Sequence, residues 1–349
     1  MAVVDPSYRL LACQYLREQL EVLMRELLGV RRNEGIEPVH QARVASRRVR
    51  AALRMFADCF DAKTVARWQK RVKKLTRELG AARDKGVQIE FIEEFLATLD
   101  KKDRKHRPGV ERLLLRLRQG RRALQAQVVE MLDKVEETDT LAQMYGELEK
   151  SLFTLRSHEV QACSPYVYER AGAHIRERQA GLIACERTLD DPKDVRGHHQ
   201  MRIAAKKLRY TMEICAPAYE GQLASFIDAA KRVQSLLGDV HDCDVWVVDL
   251  DEFMERERSA TIEYFGQDRA FNRLKPGLQM LRDDRKAHRR KVFAEMQEYW
   301  TGLGEEHLWE TLESTLEARR KASDQAQHEP QDRRPDVGEE EIQENRTAE

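Results

Sequence analysis

His40-Gln41-Ala42-Arg43-Val44-Ala45-Ser46-Arg47-Arg48-Val49-Arg50 returns 159 residues later as His199-Gln200-Met201-Arg202-Ile203-Ala204-Ala205-Lys206-Lys207-Leu208-Arg209. On a helical wheel advancing about 100° per residue, His40, Arg43, Arg47, Arg50 and Arg54 fall in a band about 80° wide. Ala42, Ala45, Val49, Leu53 and Phe56 lie roughly opposite. In the second copy His199, Arg202, Lys206 and Arg209 take the same angles, and Met201, Ala204, Leu208, Met212 and Cys215 form the apolar face. Each stretch is therefore expected to be an amphipathic helix with one cationic and one core-facing side. No acid occurs between His40 and Met55, nor between Val195 and Met212. Surface helices ordinarily interleave Glu with Lys or Arg at i, i+4, because like charges at that spacing repel. An unrelieved row of cations implies something anionic that neutralises it.

Further blocks repeat in the same order. Lys73-Lys74-Leu75 through Leu79-Gly80-x-x-Arg83-Asp84 returns as Lys231-Arg232-Val233 through Leu237-Gly238-x-x-His241-Asp242, at an offset of 158, and Pro108-Gly109 returns as Pro276-Gly277. Lys70, Lys73, Lys74 and Arg77 continue the basic pattern at i, i+3, i+4, i+7, with Trp68, Val72, Leu75 and Leu79 on the apolar side. The duplication divides the chain into two similar halves, about 6–160 and 166–321, and suggests two packed bundles related by a pseudo-twofold axis.

Helical spacing runs through nearly the whole chain and period-two alternation is absent, so the expected fold class is all-α. Twelve candidate helices fall near 6–28, 38–57, 64–80, 84–99, 109–135, 140–160, 166–188, 195–216, 221–237, 242–258, 276–300 and 307–321. From residue 322 to 349 the apolar pattern stops. Nine acids against three arginines there give a net charge of −6 and the reading of a disordered acidic tail.

Composition sets the outer bounds. The 349 residues balance 61 Lys and Arg against 61 Asp and Glu, so a polyanion partner depends on charge being segregated rather than in excess. A hydrophobic fraction of 41% is enough to bury a core. No apolar run reaches the roughly 20 residues of a membrane span. Asp5 and Arg9 interrupt the start, against a secretory signal. The six scattered cysteines, without a Cys-x-x-Cys pair, read as reduced thiols, mostly in the core, of a cytoplasmic protein.

The paired His-x-x-Arg-x-x-x-[Arg/Lys]-[Arg/Lys]-x-Arg motifs, Tyr210 and Glu213 after the second, and Leu79-Gly80-x-x-Arg83-Asp84 together resemble the CHAD domain, the conserved histidine α-helical domain, over residues 6–321. That resemblance implies two four-helix bundles with a basic groove between or along them. It also implies binding of inorganic polyphosphate and association with polyphosphate granules. Carried over by position, His40, Arg43, Arg47, Arg48, Arg50, His199, Arg202, Lys206, Lys207 and Arg209 line the groove, with Arg54 on the same stripe. Lys73, Lys74, Arg77, Arg83, Lys231 and Arg232 form a second tier. Glu213 stands where the first copy has Arg54, and His241 where it has Arg83, so the halves are expected to grip unequally.

The residues alone support an elongated polyanion. His40 to Arg54 spans roughly 21 Å of helix at about 1.5 Å per residue. Arginine forks to two phosphate oxygens while lysine acts as a mobile point charge. No aromatics interleave the stripe for base stacking, against a nucleic-acid partner. Two other classes stay open. One is a metal-dependent phosphohydrolase or polyphosphatase built on His241 and Asp242; the other is a nucleic-acid-binding module. Asp84 and Asp242 are read here as helix N-caps. The expectation is a binding protein without catalysis, metal or cofactor.

Overall fold

The computed structural model describes residues 4–328. Local signals start the helices. Asp5 accepts hydrogen bonds from the Ser7 and Tyr8 amides to open α1, Pro6–Arg32. Pro38 lies in the first turn of α2, Glu37–Met55, where its missing N–H costs nothing. Asp61 caps α3, Ala62–Thr98, and Pro108 falls in the first turn of α4, Arg107–Glu137. After α5, Thr140–Ser157, the pattern begins again. Ser164 and Pro165 open α6, Pro165–Ile183, and Asp194 caps α7, Val195–Cys215. Then follow α8, Ala224–Phe265, α9, Lys275–Glu305, and α10, Leu308–His328.

These ten helices are joined by turns and short 3-10 segments, and no strand occurs among the described residues. The protein is all-α. Helices α1 to α4 pack in succession and α5 returns onto α1; α6 to α9 pack in succession and α10 returns onto α6. Each repeat thus adds a fifth helix to the four expected. Between the repeats α1 meets α6, α2 meets α7 and α4 meets α9. The repeated Pro-Gly pairs explain the last contact. Gly109 lies against the Leu274 carbonyl and Gly277 against the His106 carbonyl, and neither place has room for a Cβ.

The predicted apolar faces are core. Ala42, Ala45, Val49, Leu53, Phe56, Met201, Leu208, Met212 and Cys215 are buried, and Ala204 is half-buried. One hydrophobic cluster runs continuously through both repeats. A second, around Ile92, Leu113, Trp246, Leu250 and Leu281, holds the far ends of α3 and α4 against those of α8 and α9. Cys13, Cys59, Cys215 and Cys243 are buried free thiols, Cys185 is intermediate and Cys163 is exposed.

Three expectations need correction. The candidate helices 64–80 and 84–99 form one helix, α3, and 221–237 and 242–258 form one helix, α8. Asp84 and Asp242 are therefore mid-helix residues and cap nothing. Helix α10 also continues to His328, beyond residue 322, where the tail was placed. The remainder of that acidic segment, 329–349, lies outside the described residues.

Candidate functional site

The two cationic helices, α2 and α7, pack against each other, and their stripes merge. Lys206 of α7 shows this most clearly. Burial pushes its pKa down to about 8, assisted by Arg47, Arg202 and Arg43. Burial also lowers the pKa of Arg47, with Arg43 and Arg209 adding repulsion. Arg50 is held down by burial and by Arg54 and Arg47. Packing this many cations together is unfavourable in the ligand-free protein, and a bound anion would relieve it.

Helices α3 and α8 close the site with the repeated Leu-Gly blocks. A Cβ on Gly80 would sit 3.5 Å from Arg43 Nε, and one on Gly238 would sit 3.5 Å from Arg202 Nε. Each arginine therefore lies against a glycine of the neighbouring helix. Both Nε donors are buried without a hydrogen-bond partner, as are Arg83 Nη1 and His199 Nδ1. Buried donors normally find partners, so the Arg43 and Arg202 Nε groups remain free to donate to an acceptor.

The histidines occupy matching places. Arg83 Nε donates to His40 Nδ1 at 3.2 Å, which puts the proton of the neutral His40 ring on Nε2. In the other half the His199 and His241 rings meet at a tilt of 45°, with centroids 4.4 Å apart. Burial lowers the pKa of all three histidines, aided by Arg83 at His40 and by Arg202 at both His199 and His241. Each offers a neutral N–H donor near neutral pH, and a polyanion would favour its protonation.

Glu37, one turn before His40 on α2, opposes the lowering of the His40 pKa, and the other acids come from other helices or later turns. Arg43 Nη2 lies 3.9 Å from Asp84. Burial pushes the pKa of Asp242 up, with Asp84 adding to it, against the pull of Arg202 and His241. Glu213, on the next turn of α7, takes two candidates out of the cluster. It accepts from Arg48 Nε at 3.1 Å and lies 3.4 Å from Arg209 Nε. Arg209 also lies over the Tyr210 ring, 4.8 Å from its centroid.

The second tier divides. Lys73, Arg77 and Lys231 are exposed and share the helix faces of Gly80 and Gly238, one or two turns away, with Arg77 paired to Glu78 at 2.7 Å. Lys74 and Arg232 turn aside. Lys74 lines a narrow cleft with Met131 and Lys134 of α4, and Arg232 pairs with Glu295 of α9. Arg54 and Lys207 are exposed.

The centre thus contains His40, Arg43, Arg47, Arg83, His199, Arg202 and Lys206, together with His241. Sequence reasoning had His241 only as the counterpart of Arg83 and gave Gly80 and Gly238 no role there. Their recurrence at offset 158, directly after the basic helices, was the available signal. Among the described residues no group of three or more His, Cys, Asp or Glu side chains could hold a metal ion, and no helix is long and apolar enough to cross a membrane.

Comparison with known proteins agrees with this architecture. A family model described as the CHAD domain matches residues 14–251. The crystal structure of the CHAD domain from the plant Ricinus communis is similar at 21% identity, with a TM-score of 0.61, covering 86% of this chain and 92% of that one. No curated protein matches the chain.

Proposed function

The chain belongs to the CHAD domain family, and from that premise we propose that it binds inorganic polyphosphate along the groove between α2 and α7, without catalysis of its own, and associates with polyphosphate granules. The observation that carries this reading is the meeting of Arg43, Arg47, Arg202 and Lys206 with donors left unpaired at Arg43 and Arg202. Polyphosphate carries about one negative charge per internal unit along an extended chain, so a row of cations suits it better than a closed pocket would. Guanidinium groups grip successive phosphates by charge-assisted hydrogen bonds. The neutral histidines add donors that become cations as the polyanion arrives. Glu213 neutralises the α7 end, so the track extends farther along α2, toward Arg50 and Arg54.

The test is a titration of the full chain with polyphosphate, orthophosphate and single-stranded RNA at matched salt. Polyphosphate should bind most tightly. Preferential binding of RNA would move the reading to a nucleic-acid module. The second reading is a metal-dependent phosphohydrolase using His241 and Asp242, on the contact of His241 with His199. Release of phosphate from polyphosphate by the purified protein with a divalent cation, abolished in Asp242→Ala, would establish it.

A further inference from the structure

The second repeat carries two features that the first lacks, one toward each end of the α8–α9 pair. The offset between the repeats is 158 at Gly80 and Gly238 but 168 at Gly109 and Gly277, so the stretch between these landmarks is ten residues longer in the second repeat. The segment returning from α8 is tied back by Arg258 and Asp268, 3.5 Å apart, and by Phe271, which is buried in the second core cluster. The last two turns of α8, 259–265, lie beyond that tie and are exposed at every position but Thr261. They end in Ile262, Tyr264 and Phe265, with the two rings 82% and 60% exposed and packed edge to face, centroids 4.7 Å apart. Arg269, Arg273 and Lys275 follow, exposed and without an ion pair among the described residues. A projecting aromatic pair with a cationic base is a knob in search of a socket.

Toward the other end of the same helix pair lies a cleft of about 750 Å³ between α8, α9 and the start of α10. Tyr299, Leu303 and Leu308 line it, and Asp228, Glu298 and Glu306 stand on its rim, exposed and without an ion pair among the described residues. The matching cleft of the first repeat, lined by Lys74 and Lys134, is about 30 Å³. Gly302 stands where that cleft has Lys134, and Glu306 where it has Thr138, so the second cleft is both opened and made acidic. Asp228 and Phe265 lie 37 residues apart on α8, roughly 55 Å at about 1.5 Å per residue. A molecule therefore cannot fill its own cleft with its own knob.

We propose that the knob of one molecule seats in the cleft of a second copy of this chain, Tyr264 and Phe265 against Tyr299, Leu303 and Leu308, with Arg269, Arg273 and Lys275 facing Asp228, Glu298 and Glu306. The contact is heterologous. Each copy offers its knob to one neighbour and its cleft to another, so association runs head to tail into open chains. Two aromatics bury roughly 150–250 Å² each, well short of a permanent interface, so the copies associate reversibly. None of these residues belongs to the α2–α7 groove, and the proposal does not rest on what that groove binds.

The experiment is light scattering on the full chain from micromolar to near-millimolar concentration at low salt, without polyphosphate, which would itself link copies. The wild type should gain mass as concentration rises, and less so at high salt. Tyr264→Ser with Phe265→Ser, and separately Glu298→Lys with Glu306→Lys, should each stay monomeric with unchanged circular dichroism, since all four side chains are exposed. Mixed in equal amounts, the two variants should pair, because one keeps the cleft and the other the knob, and the mass should stop at that of a dimer. A wild type that stays monomeric throughout, a gain of mass untouched by the cleft variant, or a mixture that does not pair would overturn the proposal. A monomer that instead binds anionic phospholipid vesicles, and loses them in Tyr264→Ser with Phe265→Ser, would overturn it in favour of a lipid surface.

Discussion

The two copies of the cationic helix begin alike and end differently. In α2 the stripe runs from His40 to an exposed Arg54, with Arg83 of α3 bonded to His40. In α7 it runs from His199, packed at a tilt against His241, and stops at Glu213, which also draws in Arg48 from the other helix. The two stripes are thus alike at their starts and unequal at their ends. Both ends keep the Arg-on-Gly contact at the centre, Arg43 on Gly80 and Arg202 on Gly238, and differ in what lies farther out. The shared contact builds the site, and the divergent turns set how far each half extends it.

The comparison can be broken most forcefully by leaving the groove altogether. Leu208 is fully buried on the opposite face of α7 from the stripe. Leu208→Ala should cost about 2–5 kcal/mol of stability through the cavity it leaves, read as a lowered denaturant midpoint. Within the groove, Arg47→Ala and Lys206→Ala remove equivalent cations from the two halves. Each should weaken polyphosphate binding tenfold or more, since a hydrogen bond to a charged group contributes about 1.5–3 kcal/mol. The fold should keep its stability or gain some, because each change relieves repulsion. Isothermal titration and thermal melts on the same samples separate the two faces.

Next in size is the effect of pH. The folded pKa of Lys206, about 8, lies below that of an ordinary lysine. The unfolded chain therefore binds the proton more readily than the native one between about pH 8 and 10, and the ligand-free protein gains stability as pH rises through that window. A bound polyanion favours the charged amine instead. Affinity should fall several-fold across the same window, and Lys206→Arg should flatten the fall. The smallest effects belong to the divergent ends. Glu213→Gln, by releasing Arg48 and Arg209, should raise affinity a few-fold. Arg54→Ala, at an exposed position, should lower it by fivefold or less, about 1 kcal/mol at most. Equal and opposite shifts at the two positions would sharpen the account; no response at either would mean that the ends of the track carry no ligand.

Much of this architecture was legible in one sequence because a duplication shows itself twice. The amphipathic spacing of α2 and α7 placed both the core face and the cationic face correctly, since a helix surface follows directly from its period. What misled was the placing of breaks between 80 and 84 and between 237 and 242, which made Asp84 and Asp242 resemble caps of the next helices. In the fold both stretches lie inside long helices, with Arg43 packed beside Gly80 and Arg202 beside Gly238. The ion pair of Arg48 with Glu213 was hidden for a different reason. Arg48 and Glu213 lie 165 residues apart in the chain, and only the packing of α2 on α7 brings them together.

The central claim is that two helices make one extended anion track, and affinity as a function of polyphosphate length tests it most directly. The full chain is titrated with polyphosphates of defined, increasing length at 50 and 200 mM salt. The account predicts that affinity rises with length until the polymer spans the α2 stripe, roughly 21 Å, and then levels off. Between the two salt concentrations it should fall roughly a thousandfold for about eight neutralised phosphates, by analogy with single-stranded nucleic acid. Orthophosphate binding as tightly as a long chain, with little dependence on salt, would contradict it.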